Sequence, residues 1–229
     1  MSAPTRVLVT GSTGFVGRAL VAHLRAQGIA VTAASRSAVT GTPDVRLVPV
    51  GELGPSTAWN AALEGCSAVV HLAARVHQLH DQAPDPAAEY RRINVEGTVA
   101  LARAAAAAGV SRFIFMSSVK VHGESSSRPL IETDPLIGSD PYARSKAEAE
   151  TALLDLAGPM QVMIIRPPLV YGAGVKANFL SMARWLARGV PLPLGAVTGN
   201  RRSLVALDNL VSLLSACLES RLTTNESFL

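Results

Sequence analysis

The chain has 229 residues, 48% of them hydrophobic, which is enough to form one sizeable α/β core. Its net charge of +4 comes from scattered side chains rather than basic runs, so we expect no nucleic-acid partner. Cys66 and Cys217 lack a spacing typical of zinc or of a redox pair, no signal-peptide pattern begins the chain, and no apolar run approaches the roughly 20 residues of a membrane span; these features favour a cytoplasmic protein.

Short apolar strands alternate with helical patterns along the chain. We predict strands over 6–9, 29–34, 45–50, 68–72, 112–116 and 161–165, and helices over 15–27, 86–108, 142–157, 178–188 and 208–219. Continuous apolar strands alternating with helices are typical of a parallel sheet covered on both faces. Six such strands predict a doubly wound α/β fold. Asp208 is the predicted N-cap of the last helix.

Proline and glycine become frequent after residue 166. We therefore divide the chain into a core over 1–166 and a small, irregular substrate-binding region over 167–229. This region is expected to lie over the carboxyl edge of the sheet and to be interleaved with the core. Residues 226–229 resemble a strand entering the fold, which suggests that the natural chain continues beyond Leu229.

The turn between the first strand and the first helix carries glycines at positions 11, 14 and 17, in the segment Thr10-Gly-Ser-Thr-Gly-Phe-Val-Gly17. Glycines at this spacing allow a tight turn, a close approach to a pyrophosphate, and contact between helix and strand. The first interval is one residue longer than in the commonest fingerprint, and a structural turn that binds nothing is the alternative. The segment predicts a dinucleotide site.

Tyr142 and Lys146 are four residues apart and share one face of a predicted helix. A free tyrosine has a pKa near 10, and an ammonium about 4 Å away at an effective dielectric of about 20 would lower it by roughly three units. An ordinary surface pair is the alternative. Ser117 and Ser118 follow the fifth strand, so all four side chains would meet near the strand ends, where such folds bind ligands.

Several motifs in order give the chain a family resemblance. They are Thr10-Gly-Ser-Thr-Gly-Phe-Val-Gly17, His71-Leu-Ala-Ala74, Asn94-Val-Glu-Gly-Thr98, Phe115-Met-Ser-Ser-Val-Lys-Val-His-Gly123, Pro141-Tyr-Ala-Arg-Ser-Lys146 and Arg166-Pro-Pro-Leu-Val-Tyr-Gly172. From Arg6 to Phe228 the sequence resembles the extended short-chain dehydrogenases/reductases, specifically the branch of nucleotide-sugar epimerases, dehydratases and 4-keto reductases. The resemblance implies a Rossmann fold that binds NAD(P), a nucleotide-sugar substrate and a possible homodimer.

The resemblance also implies roles for individual residues. Tyr142 matches the general acid/base, Ser118 the residue that holds the reacting hydroxyl, and Lys146 the residue that grips the nicotinamide ribose and lowers the pKa of the tyrosine. Further cofactor contacts are implied at Gly11, Thr13, Gly14, Phe15, Val16, Gly17, Glu52, Leu53, Leu72, Ala73, Ala74, Asn94, Ser117 and Pro167. Asn178 and Arg202 match contacts to the substrate diphosphate, although Arg202 is equally compatible with an ordinary surface arginine.

Three departures from the family pattern matter for function. His122 stands where the family commonly has tyrosine, which places an altered residue near the substrate, and Lys120 is unusual beside it. Ser35 and Arg36 stand where NAD-using members carry an acidic residue. A carboxylate there would repel a 2′-phosphate, whereas serine and arginine would receive one, so we expect NADP(H) to be preferred.

The remaining histidines give no metal site. His77 and His80 are three apart, but no third ligand follows at a recognised spacing, and His71 lies in an apolar strand as a hydrogen-bonded core residue would.

From the motifs and the resemblance together, we predict an epimerase that acts on a UDP-hexose, most simply at C4, by tyrosine-assisted hydride transfer. Two alternatives stay open: an NADPH-dependent 4-keto-sugar nucleotide reductase, and a non-catalytic NAD(P)-binding sensor.

Overall fold

The structure is a computed structural model that describes residues 5–37, 44–76, 83–156, 158–175, 177–190, 199–220 and 225–229. The strands are β1 (Arg6–Thr10), β2 (Ala30–Ser35), β3 (Val45–Pro49), β4 (Ala68–His71), β5 (Arg112–Met116), β6 (Gln161–Ile165), β7 (Leu169–Tyr171), β8 (Leu204–Ala206) and β9 (Glu226–Phe228). The helices are α1 (Phe15–Ala26), α2 (Asn60–Leu63), α3 (Pro86–Tyr90), α4 (Gly97–Ala107), α5 (Pro141–Asp155), α6 (Ala177–Ala187) and α7 (Leu207–Glu219).

The main sheet is parallel throughout the described residues, with strand order β3-β2-β1-β4-β5-β6-β9. The strand order reverses between β1 and β4, and the crevice above such a switch point is where doubly wound folds bind ligands. The predicted fold class is therefore confirmed. The sheet has seven strands in the described part of the chain rather than six, because β9 pairs with the outer edge of β6.

Helices cover both faces of the sheet. Leu8 of β1 packs on one side with side chains of α2, α4 and α5, whereas its neighbours Val7 and Val9 pack on the other side with α1 and α7. Successive strand residues point to opposite faces, so an uninterrupted apolar strand has both sides buried. Packing on both faces thus explains why the strands are uninterrupted apolar runs, the pattern that predicted a doubly covered sheet.

The long helix predicted over 86–108 is continuous, but its middle part is π-helical rather than α-helical. A π-helical turn over Arg91–Glu96 joins α3 to α4, and Asp85 caps the start by accepting a hydrogen bond from the backbone of Ala88 at 3.0 Å. A π-turn inserts one extra residue into the helix and is frequently found at functional sites. Here it brings Asn94 inward, where its side chain is 1% exposed.

The prediction that Asp208 caps the last helix is wrong. Helix α7 begins at Leu207 directly after β8, Ala206 occupies the N-cap without a side-chain hydrogen bond, and Asp208 lies in the first turn. At the other end, the buried guanidinium of Arg112 donates to the carbonyls of Cys217 and Leu218, at 2.9 and 2.7 Å. A cation there satisfies carbonyls that have no partner inside the helix.

The region after residue 166 contains a second, two-stranded parallel sheet of β7 and β8, which the sequence did not predict, and helix α6. Helix α7 packs on the face that α1 covers, and β9 extends the main sheet, so these two elements belong to the core. That this region binds substrate stays a prediction. No helix among the described residues is long and apolar enough to cross a membrane.

Candidate active site

A cleft of about 740 Å³ opens above the carboxyl ends of β1, β4 and β5. Of the predicted cofactor and catalytic residues, it is lined by Gly11, Thr13, Gly14, Phe15, Val16, Gly17, Ser35, Arg36, Glu52, Leu53, Leu72, Ala73, Ala74, Ser117, Ser118, Tyr142, Lys146 and Pro167. The fold therefore brings together residues from position 11 to position 167 of the sequence.

The glycine loop has no room for side chains. A Cβ on Gly17 would lie 2.1 Å from the carbonyl oxygen of Gly11, and one on Gly11, at φ +64°, would lie 2.8 Å from the backbone nitrogen of Ala73. Gly14 is the N-cap of α1 and supplies no side-chain hydrogen bond to the first turn. The backbone N–H groups of that turn therefore face the cleft for an anion, and the loop fits a dinucleotide pyrophosphate.

A buried hydrogen-bond network fixes the floor of the cleft. The hydroxyl of Thr10 accepts from the backbone nitrogens of Leu72 and Ala73, both at 3.1 Å, and lies 2.7 Å from Nδ1 of His71. Its proton is thus donated to Nδ1, which leaves Nε2–H to donate to the Thr98 hydroxyl at 3.0 Å. Burial, and then the charge of Lys146, lower the pKa of His71 to about 3, so the ring is neutral.

The two serines after β5 have different surroundings. Ser117 is 3% exposed, and its hydroxyl donates to the buried carboxylate of Glu150. Ser118 is partly exposed and caps the short 3₁₀ turn Val119–His122, where its hydroxyl accepts from the backbone of Lys120 at 3.3 Å. Ser118 therefore keeps its hydroxyl proton available toward the cleft, whereas the proton of Ser117 is committed to Glu150.

Tyr142 and Lys146 both come from α5, whose first turn is capped by Asp140 through a 2.7 Å hydrogen bond from the backbone of Ala143. Nζ of Lys146 donates to the carbonyl of Met116 at 2.7 Å and lies 4.4 Å from the centre of the Phe115 ring. Burial lowers the pKa of Lys146 to about 7, against the opposing charge of Glu150.

Lys146 is not among the groups that shift the pKa of Tyr142 in this structure, so its predicted lowering of that pKa stays a prediction. Burial, and then the negative charge of Asp140, raise the pKa of Tyr142 to about 12, and the cation that opposes them is Lys120. The Lys146 ammonium is directed at the Met116 carbonyl at the end of β5 instead of at the phenol. Burial also favours the neutral form of Lys146, which carries no charge to act on the phenol.

The end of the cleft beside β2 and β3 contains the residues predicted to select the cofactor. Arg36 is exposed and lines the cleft beside Ser35, whose hydroxyl donates to the carbonyl of Ser37 at 2.6 Å and so shapes the turn after β2. Glu52 and Leu53 line the same region from the segment after β3. A cation thus stands where the resemblance places an acidic side chain.

Two predicted site residues, Asn94 and His122, are buried behind the cleft lining. The Asn94 amide accepts from the backbone nitrogen of Arg75 at 2.8 Å and donates to its carbonyl at 3.0 Å and to the Ser145 hydroxyl at 2.9 Å. His122 is 3% exposed; its Nδ1 donates to the Pro135 carbonyl at 3.2 Å, and its Nε2 accepts from Arg166 at 3.2 Å. Both side chains support the cleft walls rather than face into the cleft.

The remaining positions that the sequence analysis weighed for substrate contact or for a metal are Arg202, Asn178, His77 and His80. Arg202 is exposed before β8 and does not line the cleft. Asn178 belongs to α6, and its side chain lies outside the described residues, as do His77 and His80. Among the described residues, no group of three or more His, Cys, Asp or Glu side chains is arranged to hold a metal ion.

Several cleft residues were missed from the sequence. Thr10 could have been found, since it ends β1 and begins the glycine segment. The others carry no chemical signal that separates them from ordinary loop, helix and core residues: Ala34, Val50, Gly51, Trp59, Arg75, Val76, Glu89, Ile93, Met116, Pro168, Val170 and Leu210.

Comparison with known proteins places these features in one family. Residues 7–228 match the model of the NAD dependent epimerase/dehydratase family. The chain is 43% identical over 230 residues to a protein of Vibrio cholerae named UDP-glucose 4-epimerase, an alignment that covers 99% of this chain and 70% of the relative.

Solved structures agree with this match. The structure of MoeE5 in complex with UDP-glucose and NAD is 31% identical, with a TM-score of 0.80 over 97% of this chain and 75% of that one. The dTDP-glucose 4,6-dehydratase DesIV from Streptomyces venezuelae, with NAD and TYD bound, is 27% identical, with a TM-score of 0.78 over 97% and 74%. The chain therefore belongs to the NAD dependent epimerase/dehydratase family, to which its glycine loop and its cleft with serine, tyrosine and lysine also correspond.

Proposed function

We propose that the chain is an NAD(P)-dependent epimerase that acts on a UDP-hexose at C4. The observation that carries this proposal is that the glycine loop, Ser118, Tyr142 and Lys146 all line one cleft. The 43% identical relative is named a UDP-glucose 4-epimerase, and the MoeE5 structure holds UDP-glucose with NAD, which supports both the sugar and the nucleotide.

The nicotinamide, when bound, supplies the hydride acceptor and donor. The chain's own residues bind and orient the reactants and move the hydroxyl proton. Tyr142 accepts the proton of the C4 hydroxyl through its phenolic oxygen as the carbon is oxidised, and it returns a proton to the keto oxygen when the carbon is reduced again. Ser118 contacts the same oxygen through a hydroxyl whose proton is directed toward the cleft.

Lys146 and the glycine loop hold the cofactor. With a pKa near 7, Lys146 exists in both protonation states at neutral pH, so a ribose hydroxyl or a phenolate placed beside it would shift it toward the ammonium. A phenolate next to that ammonium would in turn lower the pKa of Tyr142 from about 12 toward the working range. The tuning of the tyrosine thus belongs to the complex with cofactor.

An NADPH-dependent reductase of a 4-keto-sugar nucleotide is the second candidate. The observation that favours it is Arg36, a cation in the cleft at the end of β2 where an NAD-selective member would carry a carboxylate. An epimerase regenerates its cofactor in each cycle, so it gains little from selecting a reduced, phosphorylated form. Net reduction draws on such a form directly.

Product analysis separates the two candidates. Purified protein is incubated with NAD and UDP-glucose or UDP-galactose, and the products are separated by chromatography. The epimerase should interconvert the two sugars without net change in cofactor absorbance. Consumption of NADPH with a UDP-4-keto-hexose, without interconversion, would replace the epimerase by the reductase.

A cofactor-binding sensor is the third outcome of this test. It would bind cofactor and turn over neither substrate, although the presence of Ser118, Tyr142 and Lys146 in one cleft argues for catalysis. A homodimer and a cytoplasmic location stay predictions from the sequence, to be checked by light scattering and by fractionation.

A further inference from the structure

Lys120 bridges the two segments that carry the predicted catalytic hydroxyls. It lies in the 3₁₀ turn capped by Ser118, and its backbone nitrogen donates to the Ser118 hydroxyl at 3.3 Å. Its ammonium donates to Asp140 at 3.0 Å and to Glu124 at 2.7 Å. Asp140 is the N-cap of α5, two residues before Tyr142.

We propose that Lys120 is a positioning residue that joins the Ser118 turn to the start of α5 and supplies the positive charge that balances Asp140, the N-cap two residues before Tyr142. This assignment rests on the proposed function of the same cleft. Lys120 itself does not line the cleft, so it acts through its neighbours. The joint matters because Ser118 and Tyr142 must approach one substrate oxygen from different elements, and a misplacement of about 1 Å can cost 10²-fold in rate.

Backbone contacts already bring the two segments together. The carbonyl of Val121 accepts from the backbone nitrogens of Ile137 and Gly138 at 2.7 and 3.0 Å, which holds the loop before α5 against the 3₁₀ turn. These bonds fix the distance between the segments but add no net charge. The specific contribution of the Lys120 side chain is therefore electrostatic as well as geometric.

The charges around Tyr142 are unbalanced without Lys120. Asp140 precedes it on its own element, and its negative charge raises the pKa of the phenol, while Lys120 from the 3₁₀ turn lowers it. From α3, Tyr90 contacts Tyr142 edge-on, and the Arg75 guanidinium stacks on the far ring of that pair. Lys146, one turn further along α5, donates instead to the end of β5.

The test separates the charge of Lys120 from its hydrogen bond. Lys120→Gln can still donate to Asp140 but carries no charge, and Lys120→Arg keeps both. As a matched control, Arg144→Gln removes an exposed cation from α5, the helix that carries Tyr142. We expect Lys120→Gln to move the acidic limb of the kcat profile upward by about half to one pH unit, the size of one partly screened charge. Lys120→Arg and Arg144→Gln should follow the wild type.

A second measurement does not depend on turnover. The chain contains 3 tyrosines, so fluorotyrosine labelling and fluorine NMR give a resonance for Tyr142 that the Tyr142→Phe variant assigns. The titration midpoint of that resonance should rise in Lys120→Gln and stay unchanged in Lys120→Arg. If the midpoint rises but no nucleotide sugar is converted by the wild type, the proposed function fails and the role of Lys120 stands. The role of Lys120 would be overturned if Lys120→Gln kept the wild-type titration midpoint and the wild-type kcat profile. It would also be overturned if Lys120→Arg shifted them as far as Lys120→Gln does.

Discussion

The guanidinium of Arg166 lies 2.7 Å from the carboxylate of Glu150, and the two side chains are 6% and 0% exposed. Glu150 also accepts from Ser117, while Arg166 donates to His122 and, at 2.7 Å, to the carbonyl of Glu132. A buried ion pair has lost its water, so its remaining donors and acceptors must be satisfied by the protein. The pair therefore ties the end of β5 to the loop that follows the 3₁₀ turn.

Removing one member of this pair should destabilise the fold. We expect Arg166→Met to lower the free energy of unfolding by about 3–5 kcal/mol, because it leaves the Glu150 carboxylate buried without its partner. The double variant Glu150→Leu, Arg166→Met should recover part of that loss. Urea unfolding measures both, with Arg46→Met in the exposed Arg46–Glu64 pair as a control expected to change stability by less than about 1 kcal/mol. Equal losses at the two sites would show that the buried pair has no special weight.

Tyr142→Phe tests the proposed acid/base. It removes only the titrating hydroxyl, so cofactor should still bind while kcat falls by about 10²- to 10⁴-fold. Tyr90→Phe removes a neighbouring hydroxyl, one that donates to the carbonyl of Val76 at 3.0 Å outside the reacting centre, and should retain most of its turnover. Near-normal turnover by Tyr142→Phe would exclude the phenol from proton transfer.

Cofactor preference should depend on the residues at the end of β2. In the wild type, Arg36 offers a cation to a 2′-phosphate, so NADP(H) should bind more tightly than NAD(H). Ser35→Asp places a carboxylate there and should narrow or reverse the preference. Fluorescence titration measures the affinity of the wild type and of Ser35→Asp for NADP(H) and for NAD(H). Arg18→Ala on the outside of α1 controls for a general loss of positive charge. Equal affinities in the wild type would mean that Arg36 does not contact the ribose.

His71 should make the fold sensitive to mild acid. The pKa of His71 is about 3 in the folded protein, against an ordinary value of 6.5. Between these two values, His71 binds a proton in the unfolded chain but not in the folded one. Stability is therefore full above pH 6.5 and falls as the pH decreases, by up to about 1.4 kcal/mol per pH unit from this group. In His71→Gln the slope of unfolding free energy between pH 6.5 and about 5 should flatten. His23→Gln on α1 is the matched control, and an unchanged slope in the His71 variant would show that another group titrates there.

Local patterns predicted the sheet well because each strand carries its own signal. β5 and β6 were predicted over the residues they occupy, since each is an apolar run bounded by polar or glycine-rich segments. The glycine loop was equally legible, because its three glycines are required by contacts within the loop itself and with Ala73. The π-turn at Asn94 was not predictable, because a single extra residue leaves the helical pattern almost unchanged.

The features that the sequence did not predict depend on partners that are distant in the chain. The orientation of His122 follows from Arg166, which comes from the segment after β6. The protonation of Tyr142 depends on Lys120 and on burial, neither of which is visible in the spacing between Tyr142 and Lys146. Motif reading thus identifies which residues surround a site, and tertiary contacts decide how each one behaves.

The pairing of β9 with β6 has a consequence for how the protein is made. All five residues of β6 are buried, and the outer edge of the last three is covered by Glu226–Phe228, which follow about sixty residues later. While a ribosome is still adding those residues, β6 presents an apolar edge with free backbone groups, the kind of surface through which nascent chains aggregate. The sheet can therefore close at this edge only after β9 has been made, and shielding by a chaperone should matter most in the interval between synthesis of β6 and synthesis of β9.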